Sequence, residues 1–137
     1  MSNRVFFDTR VLVYSVSSED RRADVAEKLL ASGGFISVQV LNEFVSVCRN
    51  KLKMPWPEIN EALEAVRALC EPVLAIDVEM HEHALRMAEQ TGYHIHDALI
   101  VAAAARAGCA VLYSEDMQDG RRIEGLTIRN PFQPGRE

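Results

Sequence analysis

Val5-Phe6-Phe7-Asp8 near the start of the chain and Ala110-Val111-Leu112-Tyr113-Ser114-Glu115-Asp116 near its end decide the fold. Each is a short apolar run closed by an acid. Runs of this length read as strands buried on both faces of a parallel sheet, although periodicity alone also admits a short buried helix. In open α/β sheets ligands bind beyond the carboxyl ends of the strands, so Asp8 and Asp116 would face one crevice.

Working outward, short apolar runs alternate with helical patterns, the signature of βαβ units. Ser17 or Ser18 is expected to cap a helix carrying Val25, Ala26, Leu29 and Leu30 and ending near Gly33-Gly34. Phe35-Ile36 reads as a second strand. Leu41, Phe44, Val45, Cys48 and Leu52 fall at helical spacing, and Pro57 opens another helix with Ile59, Ala62, Leu63, Val66 and Leu69 on its buried stripe. Val73 to Ile76 reads as a third strand. Asp77 caps a helix that stops at Gly92, and an alanine-rich helix runs from Asp97 to Gly108. Leu126-Thr127-Ile128 is expected to be a last edge strand. The resulting fold class is α/β, with residues 1–132 as one domain and 133–137 as a flexible tail.

At 137 residues and 48% hydrophobic, the chain suits one compact core and one site. Asp8 and Arg10 interrupt the first apolar run, so no signal peptide is expected, and no run approaches the length of a membrane span. The three cysteines, Cys48, Cys70 and Cys109, show no CxxC spacing, which points to a reducing cytoplasm rather than a disulfide framework or zinc knuckle. A net charge of −5 disfavours broad binding to duplex phosphates. It is compatible with carboxylates that hold metal.

Two further acids join the strand-end pair. Glu43 lies between Val40 and Val47 on one helical stripe, where an unpartnered carboxylate is costly. Asp97 reads either as a helix cap or first-turn acid, or as a member of the same cluster. His94 and His96 stand near it, but His81 and His83 belong to a separate helix, so a histidine-based transition-metal set is incomplete.

Val5-Phe6-Phe7-Asp8-Thr9 followed by Val11-Leu12, Asn42-Glu43-Phe44, His96-Asp97-Ala98-Leu99-Ile100-Val101-Ala102-Ala103-Ala104 and Leu112-Tyr113-Ser114-Glu115-Asp116-Met117 together resemble the PIN-domain ribonucleases. A small stand-alone chain of this kind is similar to the VapC-type toxins of toxin–antitoxin pairs. The resemblance implies a three-layer α/β/α fold with a mainly parallel sheet of four to five strands. It implies a Mg²⁺- or Mn²⁺-dependent endoribonuclease with Asp8, Glu43, Asp97 and Asp116 around the metal, an RNA substrate and an antitoxin partner. Hard oxygen donors suit both ions. Thr9, Arg10, Ser114 and Asp119 are secondary positions: Ser114 is expected to place Asp116 or a phosphate, and Asp119 to reach the cation if its turn curls back.

Arg10 departs from the pattern, which usually has asparagine two residues after the first aspartate. A guanidinium offers only donors and a permanent charge. Pointing inward it competes with metal and leaves an impaired RNA- or antitoxin-binding domain; pointing outward it leaves the site intact. A phosphotransferase using Asp8 as nucleophile is a third reading, weakened because Arg10 stands where such enzymes often place a second acid. The helical pair from Val40 to Leu69 is the expected antitoxin surface, with Trp56 an anchor or a packing plug. A homodimer is also plausible.

Overall fold

The computed structural model describes residues 3–17 and 20–133. The tail expected beyond Phe132 lies outside them from residue 134 onward. The elements run β1 (Val5–Phe7), α1 (Thr9–Ser15), α2 (Arg22–Ala31), α3 (Val38–Asn50), α4 (Trp56–Leu69), α5 (Val78–Thr91), α6 (Ile95–Arg106), β2 (Val111–Tyr113), β3 (Arg122–Ile123) and β4 (Leu126–Arg129). The sheet order is β1-β2-β4-β3, parallel except for the β3–β4 pair. With these helices flanking it, this is the expected α/β/α fold with four strands.

Several local expectations are corrected. The first strand runs directly into α1, because the Asp8 side chain caps Thr9. Ser17 instead donates its hydroxyl back to the Val13 carbonyl at 2.9 Å, and the next helix begins at Arg22. Ser18 lies outside the described residues. Phe35-Ile36 and Val73–Ile76 shrink to isolated parallel bridges, Phe6 to Phe35 and Ser37 to Leu74. Ser37 turns the chain into α3 one residue after Ile36, and Pro72 has no N–H for a longer ladder. Leu126–Arg129 is not the edge: a hairpin through Glu124 and Gly125, both at positive φ (50° and 83°), folds β3 outside it.

The core is built from β1, β2 and β4 side chains against α1, α3 and α6. Phe6, Phe7, Leu112, Leu126 and Ile128 are fully buried, and each such side chain contributes about 1.5–3 kcal/mol relative to exposure. α6 buries every residue from Ala98 to Ala104, and small alanines let it lie close to its neighbours. α5 is capped by Asp77, which accepts from Met80 N–H at 2.8 Å, and closes on left-handed Gly92. The three cysteines are buried free thiols, and burial pushes each thiol pKa up to about 11.

Gly34 sits against the strand that leads to Asp8. A Cβ there would meet the Phe7 ring at 2.5 Å and Val5 Cγ2 at 3.0 Å. Phe7 is fully buried and stacked on Tyr113, so its ring has little room to retreat. Gly34→Ala is expected to cost about 1–3 kcal/mol, the usual penalty of overpacking. Urea denaturation checks this; a loss below about 0.5 kcal/mol would show that the ring yields.

Candidate functional site

Parallel pairing of β1 with β2 sets Phe7 opposite Tyr113, so Asp8 and Ser114 leave the sheet side by side. The Asp8 N–H donates to the Tyr113 carbonyl at 3.0 Å. Its carboxylate, only 4% exposed, accepts from Thr9 N–H through Oδ1 and from the Ser114 hydroxyl through Oδ2, both at 2.7 Å. Burial raises its pKa to about 6 from the ordinary 3.8, against these two hydrogen bonds, with Asp97 and Glu43 adding repulsion.

Packing of α1 on α3 brings Thr9 to Glu43: the hydroxyl donates to Oε1 at 2.6 Å, while Gln39, one turn earlier, donates to Oε2 at 2.7 Å. Glu43 is thus partnered, as its apolar stripe demands. Asp97 lies in the first turn of α6 rather than at its cap, which is His94. Burial raises its pKa, Glu43 and Asp116 raise it further, and His94 and His96 oppose them. Asp116 follows β2 on an exposed bend, with Arg10 Nε 3.5 Å from its Oδ2.

These four acids line one cleft of about 300 Å³, together with Thr9, Arg10, Val13, Ser46 and Val47. Ser114 is placed differently from expectation: its hydroxyl braces Asp8, not Asp116, and receives Met117 N–H at 3.2 Å. Asp119 is not among the cleft residues; its Oδ1 accepts the Asn130 N–H at 2.9 Å beyond β4. His83 pairs with Glu124 at 3.0 Å, away from the cleft. Gln39 escaped sequence reading, though its spacing of four residues from Glu43 was the available signal.

The donor set fits a hard divalent cation: carboxylates from four separate elements, mutually repelling, with Asp8 and Asp97 driven toward the neutral form. A cation relieves that repulsion. Among the described residues no three His, Cys, Asp or Glu side chains already converge on one point. Asp8, Glu43 and Asp116 also hold protein partners, so joint coordination requires the carboxylates to draw together around the ion.

The PIN domain profile matches residues 5–123, from β1 through β3. The chain belongs to the PIN-domain family. No curated protein matches its sequence. Among solved structures this PIN domain is similar to VapC20 of Mycobacterium tuberculosis, a Sarcin-Ricin loop cleaving toxin, with TM-score 0.68, 22% identity, and 82% of this chain and 89% of that one covered. It is similar to a chain of a toxin–antitoxin complex from Klebsiella pneumoniae (TM-score 0.68, 19% identity, 90% and 95% covered). It is also similar to one in VapBC2 of Rickettsia felis, bound to a promoter DNA fragment (TM-score 0.65, 21% identity, 92% and 97% covered). At these identities the likeness is one of fold.

The raised Asp8 pKa has a defined sign. Between 3.8 and about 6 the folded protein keeps a proton that the unfolded chain releases. The favourable contribution is therefore complete below the ordinary value and lost as pH rises through about 6. At about 1.4 kcal/mol per pH unit, a difference of about two units sets a ceiling of about 3 kcal/mol. With chelator present, Asp8→Asn is expected to stabilise the fold by about 1–3 kcal/mol at pH 7, shrinking as pH falls toward 4. Urea midpoints across that range test it, and a pH-independent difference would refute it.

Proposed function

We propose that this PIN domain is a divalent-metal-dependent endoribonuclease, the toxin of a toxin–antitoxin pair acting in the cytoplasm. The observation that carries the reading is that Asp8, Glu43, Asp97 and Asp116 line one cleft beyond the parallel strands. Asp8 and Asp116 are the principal ligands for Mg²⁺ or Mn²⁺, Asp97 completes the shell, and Glu43 binds the ion or orients its water. Bound there, the ion would supply the Lewis acidity that lowers the pKa of water and neutralises charge on the phosphodiester. Thr9 and Gln39 hold the Glu43 carboxylate in a fixed direction, suited to orienting a water and accepting its proton. Ser114 keeps Asp8 aimed from the strand end. Phosphotransfer through Asp8 is a poorer reading, because Arg10 stands where such enzymes often place a second acid.

A groove of about 700 Å³ between α3 and α4, with Leu41, Val45 and Leu63 beside Glu64 and Arg67, suits the apolar anchors of an antitoxin segment. Trp56 is 51% exposed under the Arg49 guanidinium, which favours the anchor over the packing plug. The same surface is available to a second copy of the chain. No helix of the described residues is long and apolar enough to cross a membrane.

The contact of Arg10 with Asp116 favours a second reading, an impaired domain that binds RNA or antitoxin without cleaving. Incubation of labelled structured RNAs with Mg²⁺ or Mn²⁺ separates the two. Cleavage is expected, abolished by chelator and by Asp8→Ala and lowered at least about 100-fold by Glu43→Gln, the usual worth of a positioned acid–base group. Binding without cleavage establishes the second reading; cleavage that survives Asp8→Ala refutes the first.

A further inference from the structure

Among the described residues, Arg10 is the only cationic side chain lining the acidic cleft. Its Nε lies 3.5 Å from Asp116 Oδ2, and its Nη1 lies 3.7 Å from Glu115 Oε1 and donates to the Tyr14 hydroxyl at 3.5 Å. Arg10 and Tyr14 are four residues apart on α1 and so share a face toward the turn after β2. That turn is braced. Glu115 accepts from the Tyr14 hydroxyl through Oε1 and from Arg22 Nη1 at 2.9 Å through Oε2. Arg22 in turn lies 4.1 Å over the Tyr14 ring. The guanidinium is therefore moored on its outer side to a frame of Tyr14, Glu115 and Arg22, while its Nε leans on Asp116.

We propose that Arg10 is a resident counter-cation of the cleft: it occupies Asp116 and must be displaced from it before a divalent ion can take that carboxylate. This inference rests on the metal-centre reading above and adds a built-in control to it. The contact with Asp116 is long, and the two side chains are 47% and 53% exposed, so the pair alone is a weak lock. Its charge makes it effective. Off Asp116, the guanidinium still belongs to the cleft lining, with Tyr14 and Glu115 at 3.5 and 3.7 Å as further contacts, and a positive charge at that range opposes a dication. A neutral residue at position 10 removes both the competition and the repulsion. The guard thus sets how much metal the protein needs, while leaving Asp8, Glu43 and Asp97 untouched.

The test is calorimetric titration of Mn²⁺ alone, without RNA, into the full chain and its Arg10→Asn, Arg10→Gln and Arg10→Lys variants. The two neutral variants are expected to bind Mn²⁺ about tenfold more tightly than the parent, and the lysine variant, which keeps the charge, to stay within about threefold. Arg10→Gln retains most of the aliphatic stem and serves if Arg10→Asn loses its fold, which circular-dichroism melting reveals. Equal Mn²⁺ affinity in parent and neutral variants overturns the proposal but leaves the nuclease reading standing. Weaker binding in the neutral variants also overturns it, since Arg10 would then organise Asp116 for the ion. Absence of Mn²⁺ binding in every variant removes the metal centre and this inference together.

Discussion

The hydrogen bonds that clamp the buried Asp8 carboxylate, from Thr9 N–H and the Ser114 hydroxyl, are the constraint on which the rest of the molecule turns. One side chain ends β1, starts α1 and ties both to the end of β2. An ionised carboxylate with 4% exposure is expensive even when both oxygens have donors, and its pKa of about 6 expresses that cost. On the proposed metal-centre reading, the acid at this position is where folding stability yields to a site that needs charge.

From Asp8 the remaining acids follow by packing. Thr9 is the next residue on α1, and its hydroxyl reaches Glu43 because α1 lies against α3. Asp97 arrives on α6, which also packs against α3, and Asp116 on the bend after the strand paired with β1. Each carboxylate is delivered by a different element, so their repulsion cannot be relieved by shifting any single loop. The two ends of the set differ in freedom. Glu43 is gripped by two donors, whereas Asp116 is half exposed and touches only the moored Arg10 among ion-pair partners in the described residues.

Much of this was legible in the residues themselves. The buried strands, the parts of the α3 and α4 stripes from Phe44 to Cys48 and from Ile59 to Val66, the Asp77 cap and the Gly92 stop follow local rules of period and capping, and the structure keeps them. Leu52, beyond the end of α3, and Leu69, in the last turn of α4, are instead exposed. What escaped depended on tertiary context. Thr9–Ser15 is short and buried over most of its length, so it has no polar face from which a helical period could be read. The Phe35 and Leu74 segments hydrogen-bond as strands but are cut to single bridges by the neighbouring helix start and proline. β3 turns on Glu124-Gly125, which lacks the asparagine or aspartate that usually announces such a hairpin. The direction of Arg10 and the partner of Ser114 were beyond sequence, because both depend on where the turn after β2 lies relative to α1.

The charge balance of the cleft also bears on the proposed reaction. Four carboxylates and one guanidinium leave it strongly negative, and a phosphodiester approaching it would meet repulsion at short range. A chain with net charge −5 offers little general attraction to offset this. Favourable engagement of a phosphate therefore depends on cations being in place first, and Arg10 cannot serve as that cation alone while it is committed to Asp116 and Glu115. The α3 helix adds a second dependence. It presents Glu43, Ser46 and Val47 to the cleft and Leu41, Asn42 and Val45 to the groove against α4, so the two surfaces share one rigid element. A partner seated in the groove would bear directly on the helix that carries Glu43, with no intervening loop to absorb the displacement.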